Sequence, residues 1–168
     1  MSLNVLVIPE DFRKDQYVLA PLLRRLFAEI GKPHAHVEIC TDPVMGGISQ
    51  ALDWERIDEV IDMYPIVQVF LVLVDRDGKA GRRTALDGLE TRAGEPSEWK
   101  WQEIRAEVNP KETYFEPLAR QRGLTSEPGE GRTTMGREAA QNYARVRSLC
   151  REDIQALETR LKDWFGDD

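Results

Sequence analysis

With 168 residues, 41% of them hydrophobic and 32% charged, the chain is long enough to bury a core as one ordinary globular domain, and no apolar run approaches the roughly 20 residues that a bilayer span requires. A formal net charge of -7 argues against a generic DNA coat, because non-specific binding rests on Lys and Arg neutralising phosphates. Two distant cysteines, Cys40 and Cys150, and the neighbouring His34 and His36 are too few for a disulfide framework or a zinc cluster.

The start, MSLNVLVIPE, lacks a basic segment followed by an apolar one with a small-residue cleavage site, so a cytoplasmic location is expected. Leu3 to Ile8 is a short, β-branched apolar run, the pattern of a strand buried on both faces, and it ends at Pro9-Glu10. A helical stripe follows through Val18, Leu19, Leu22, Leu23, Leu26, Phe27 and Ile30, stopped by Gly31-Lys32-Pro33. Because Pro21 fits best in a first turn, the helix is expected to start between Asp15 and Pro21, with Asp15 as a cap.

His36 to Cys40 reads as a second strand, and TDPVMGGISQ as a loop. Asp53 caps a helix through Met63 that turns Ile57, Val60 and Ile61 inward. Val67 to Val74 is the strongest strand in the chain and is expected at the centre of the sheet. The order strand, helix, strand, helix, strand implies right-handed crossovers and a mostly parallel α/β sheet with helices on its faces.

Beyond Asp77 no apolar run between Gly78 and Trp101 offers a further strand; a turn or two of helix is expected around Arg82 to Leu89. The remainder reads as helical. One helix carries Trp99, Trp101 and Ile104. A second opens at Pro110, carries Tyr114, Phe115 and Leu118, and closes at Gly123. SEPGEGRTTMG reads as a mobile loop. Helices near Arg137 to Cys150 and Glu152 to Phe165 follow, the latter expected to bury Ile154, Leu157, Leu161 and Trp164. The expected organisation is a single domain over 1-168, with an α/β core over 1-90 and a helical extension over 91-168.

The chemistry concentrates at FLVLVDRDG. Asp75 and Asp77 lie just past the carboxyl end of a strand, the edge where open α/β sheets bind ligands. Two carboxylates that close repel each other unless a cation lies between them, and a hard divalent ion suits oxygen ligands. Glu10 ends the first strand as Asp75 ends the third, so neighbouring parallel strands would bring a third carboxylate to the same edge. Taken alone, VDRDG is equally a strand-to-turn junction, where Asp and Gly are common. Lys79, Arg82 and Arg83 are candidate phosphate contacts, with a solvated loop as their plainer reading. The basic residues between Lys111 and Arg151 could likewise meet a phosphate-bearing substrate or form an ordinary solvated surface.

A glutamate closing the first strand, a long helix, and an apolar strand ending in DxD resemble a Toprim domain. The stretches VIPEDFRKDQYVLAPLLRRL, VFLVLVDRDG and PKETYFEPLARQRG are similar to small stand-alone Toprim-like bacterial proteins, related to the nucleases of the overcoming-lysogenization-defect type. The resemblance implies a Rossmann-like, mostly parallel sheet and Glu10 as general acid or base. It implies Asp75 and Asp77, with Glu10, as ligands of Mg2+ or Mn2+. The implied activity is metal-dependent nucleic-acid hydrolysis, with an ATPase supplied by another chain as a further implied partner. The alternative is a non-catalytic Toprim-like module that binds a protein partner through its helical half. A receiver-like domain would also use strand-end acids, but it needs a late strand bearing Lys, and none is visible.

Overall fold

The computed structural model describes residues 2-74, 82-92, 116-125 and 127-166. Three parallel strands, β1 (Asn4–Pro9), β2 (His36–Ile39) and β3 (Val69–Leu73), form a sheet in the order β2-β1-β3. Val5 pairs with Val37 on one side and Val69 on the other. Among the described residues β1, not β3, is therefore the central strand, and it is the more completely buried of the two. The apolar density of Val67 to Val74 reflects cover on both faces rather than a central position. Asn4 and Gln68 set the β1/β3 register at its entry: the Asn4 N–H donates to Gln68 Oε1 at 2.7 Å, and the Gln68 N–H donates to the Asn4 carbonyl at 3.0 Å.

Alternation along β1 sends side chains to two cores. Val5 and Val7, with Val37, Val69 and Leu71, meet Leu22, Leu23, Leu26 and Phe27 of α1 (Phe12–Glu29). Leu6 and Ile8 meet Ile57 and Val60 of α3 (Trp54–Met63) and Leu89 of α4 (Arg82–Arg92) on the other face. Helices thus cover both faces, as the sequence order requires. A short helix α2 (Ile48–Ala51) interrupts the expected TDPVMGGISQ loop, and α4 is longer than the expected turn or two.

The helix α1 starts earlier than the position of Pro21 suggests. Its N-cap is Asp11, whose carboxylate accepts the Arg13 N–H at 3.1 Å, and Pro21 sits in the interior. Asp15 is not the cap; it reaches back one turn, accepting the Asp11 N–H at 3.2 Å. At the other end Gly31 adopts φ 81°, and the Lys32 N–H returns to the Phe27 carbonyl at 2.8 Å, closing the helix in a Schellman arrangement.

Among the described residues, the later helices are α5 (Glu116–Gln121), α6 (Thr133–Gln141), α7 (Tyr143–Leu149) and α8 (Ala156–Phe165); α6 and α7 touch α1, and α8 adds Leu161 and Phe165 to the core on that face. The segment expected to be a mobile loop instead forms a π-type turn, Pro128–Arg132, that runs straight into α6 and packs on α1. Two of its glycines serve close approach: a Cβ on Gly131 would fall 2.0 Å from the Thr125 carbonyl oxygen, and one on Gly136 would fall 2.3 Å from that of Tyr17. Arg122 clamps Glu138 with two hydrogen bonds of 2.6 Å, fastening the end of α5 to α6.

One residue expected in the core lies elsewhere. Trp164 is 47% exposed, with the Arg160 guanidinium 4.9 Å from its ring centroid, and the neighbouring Phe165 takes the inward position against Phe27. Leu118 is exposed, and Ala119 is the buried residue of α5. Trp99, Trp101, Ile104, Tyr114 and Phe115 lie outside the described residues.

Candidate active site at the β1/β3 edge

In a parallel sheet ordered β2-β1-β3, the helix following β1 covers one face and the helix leading into β3 covers the other. In doubly wound sheets, the carboxyl ends of neighbouring strands whose helices lie on opposite faces form the edge that holds the ligand. Pro9 pairs with Leu73 at the end of this register. Glu10 is the next residue after Pro9, half-buried, and directly precedes the cap of α1.

Glu10 is thus at the expected edge, beside the strand that runs into Asp75. Asp75, Asp77 and Lys79 lie outside the described residues, whereas Arg82 and Arg83 open α4. The neighbouring acids have structural partners. Asp11 caps α1 and pairs with Lys14 at 3.1 Å, and Asp15 pairs with Arg132 at 3.6 Å. That last contact brings a guanidinium from the far half of the chain to the β1 exit, and both side chains are largely buried. No local pattern around Arg132 signals it, since the contact depends on how α6 lies along α1.

An open groove of about 360 Å³ flanks the same edge, between the first turns of α1 and the end of β2. Gln16, Tyr17 and Arg24 line one wall, and Glu38, Ile39 and Thr41 the other. Arg24 also donates to the Val37 carbonyl at 3.2 Å, capping part of the outer edge of β2. Sequence reading missed the groove because its α1 wall mixes polar residues into a helix whose apolar stripe dominates the pattern.

Cys40 is buried, and burial pushes its thiol above the ordinary range, so it is a weak nucleophile. Among the described residues no group of three His, Cys, Asp or Glu side chains is placed to hold a metal ion; the expected cluster depends on Asp75 and Asp77. Among those residues, too, no helix is long and apolar enough to cross a membrane.

No family model, curated protein or solved structure matches the chain. The architecture and the position of Glu10 carry the functional reading instead.

Proposed function

We propose that the chain is a metal-dependent phosphodiesterase acting on nucleic acid, built on a Toprim-like α/β core. The observation that carries this reading is the pairing of β1 with β3, which sets Glu10 one residue beyond the Pro9 and Leu73 pair at a switch point. The sequence then supplies Asp75 and Asp77 from the strand next to Glu10.

The donor set of Glu10, Asp75 and Asp77 suits a hard divalent cation, because it is made of carboxylate oxygens. Asp75 and Asp77 would hold Mg2+ or Mn2+ with Glu10 beside them, and the bound ion would supply Lewis-acid stabilisation of the charge that develops on a phosphodiester oxygen. Glu10, half-buried at the edge, takes the proton from the attacking water or returns it to the leaving oxygen. Lys79, Arg82 and Arg83, from the segment after the DxD, are suited to orient the phosphate.

The test is cleavage of single-stranded and duplex DNA and RNA with magnesium, manganese or EDTA, comparing the wild type with Asp75→Ala. Metal-dependent cleavage lost in the variant, with an unchanged circular dichroism spectrum, is the expected result. Cleavage that persists in Asp75→Ala removes the mechanism. A wild type that cleaves none of these substrates and binds no metal leaves the protein-binding module as the better reading.

A further inference from the structure

We infer that the groove between α1 and β2 is a subsite for one nucleotide of a single-stranded nucleic acid, flanking the phosphate that reacts beside Glu10. This rests on the phosphodiesterase reading above and adds the form of the substrate and the residues that hold it.

Position is the first ground. The groove lies beside the carboxyl end of β2, next to the β1 end that carries Glu10, and its helical wall begins one turn into α1. From the Asp11 cap to Tyr17 is about 9 Å along the helix axis at 1.5 Å per residue. That is the length of about three stacked nucleotides at about 3.4 Å each. A strand with one phosphate at Glu10 that ran along α1 would meet the Tyr17 end of the groove first.

Chemistry is the second ground. The lining combines a half-buried phenol ring, a carboxamide, a hydroxyl, one guanidinium and one carboxylate. An apolar ligand would desolvate these polar groups without offering them further hydrogen bonds. A fully anionic ligand would meet Glu38. A nucleotide matches the mixture: its base offers a π-face to Tyr17 and a hydrogen-bonding edge to Gln16 and Thr41, and its phosphate suits Arg24, which is exposed. The groove is open and shallow, which suits an unpaired strand with its bases accessible. Stacking there tolerates any base, so this subsite selects strandedness rather than sequence.

The experiment measures fluorescence anisotropy of a 5′-fluorescein-labelled oligothymidylate with the full chain, with calcium replacing magnesium to withhold turnover. Tyr17→Ala and Arg24→Gln are each expected to weaken binding about ten-fold, while Tyr17→Phe, which keeps the ring, restores it. Circular dichroism and thermal melts confirm that the variants fold. Binding that is unaltered in both Tyr17→Ala and Arg24→Gln overturns the subsite, as does a wild type that does not bind the strand. Cleavage assays with Asp75→Ala separate this outcome from the parent reading. Groove-dependent binding without any magnesium-dependent cleavage ends the phosphodiesterase reading and leaves the strand-binding site; Asp75-dependent cleavage indifferent to Tyr17 and Arg24 does the reverse.

Discussion

Gly136 of α6 lies against the carbonyl of Tyr17 in α1, so close that a Cβ built on it would fall 2.3 Å from the oxygen and 2.9 Å from the Cα of Val18. Tyr17 stands four residues before Pro21, which has no N–H to give that carbonyl. Helix α6 approaches α1 where the proline interrupts its hydrogen-bond ladder, and only a residue without a side chain fits at that distance. Both walls of this contact are backbone, so a side chain can be accommodated only by moving a helix.

Gly136→Ala is therefore expected to destabilise the fold even though alanine is the better helix former. Overpacking of this kind costs about 1–3 kcal/mol, which for a chain of this size lowers Tm by about 2–4 °C per kcal/mol. Differential scanning calorimetry measures it. A Gly136→Ala protein as stable as the wild type would show that the two helices do not meet this closely.

Glu158 supplies the second prediction. It is 3% exposed, and its carboxylate accepts from the Tyr143 hydroxyl at 3.0 Å, Arg147 Nε at 2.7 Å and Lys162 Nζ at 3.0 Å. Burial pushes its carboxyl up, but the hydrogen bonds from Lys162, Arg147 and Tyr143 outweigh burial and hold it below the ordinary carboxylate range. Its contribution is fully present above the unfolded-state value of about 4.3 and is lost as pH falls through the lower folded-state value. Glu158→Gln leaves the Arg147 and Lys162 charges without their anion, and because both cations keep solvent access it is expected to cost about 1–2 kcal/mol at pH 7. Urea unfolding checks both parts: the gap between wild type and variant is expected to be widest at neutral pH and to narrow in acid, below the ordinary glutamate range.

The capping carboxylate beside the site can be separated from the chemistry. Asp11 accepts the Arg13 N–H through its side chain and is tied through its own N–H to Asp15. Asp11→Ala is expected to lose about 1 kcal/mol, while Asp11→Asn, which keeps an acceptor, loses much less. If the chain is the phosphodiesterase proposed, cleavage measured well below Tm is expected to survive in both variants. Loss of cleavage in Asp11→Asn at full stability would assign Asp11 to the reacting centre instead.

The strands were legible because Leu3 to Ile8 and Val67 to Val74 are apolar and β-branched, and short apolar runs between turn signals leave few alternatives. Asp53 was legible as a cap for the same local reason, and its carboxylate accepts the Glu55 N–H at 3.1 Å. Reading by local rule failed where a distant element decides. Pro21 looked like a first-turn residue, yet it sits inside α1, where α6 packs beside its turn. The glycines of 129–136 looked like loop chemistry, but Gly131 and Gly136 admit close backbone contacts. Trp164 and Phe165 adjoin on α8, and which one turns inward depends on Phe27 across the core. Glu10 could be placed at a strand end from sequence, but its adjacency to β3 is a long-range pairing that only the fold supplies.

That adjacency yields a test of the site independent of any substrate. If Glu10, Asp75 and Asp77 share a cation, binding to the folded chain alone stabilises it by RT ln(1 + [L]/Kd), about 2.7 kcal/mol at 100 times Kd. Manganese titrated into the wild type is expected to raise Tm with concentration, and Glu10→Gln or Asp75→Ala to reduce that rise sharply. Glu10→Gln keeps the shape of the residue while removing its charge, so its stability without metal is expected to stay within about 1 kcal/mol of wild type, or about 2–4 °C in Tm. A manganese-dependent rise of equal size in all three proteins would place the ion elsewhere, and the three acids would then be strand-end residues with no shared ligand.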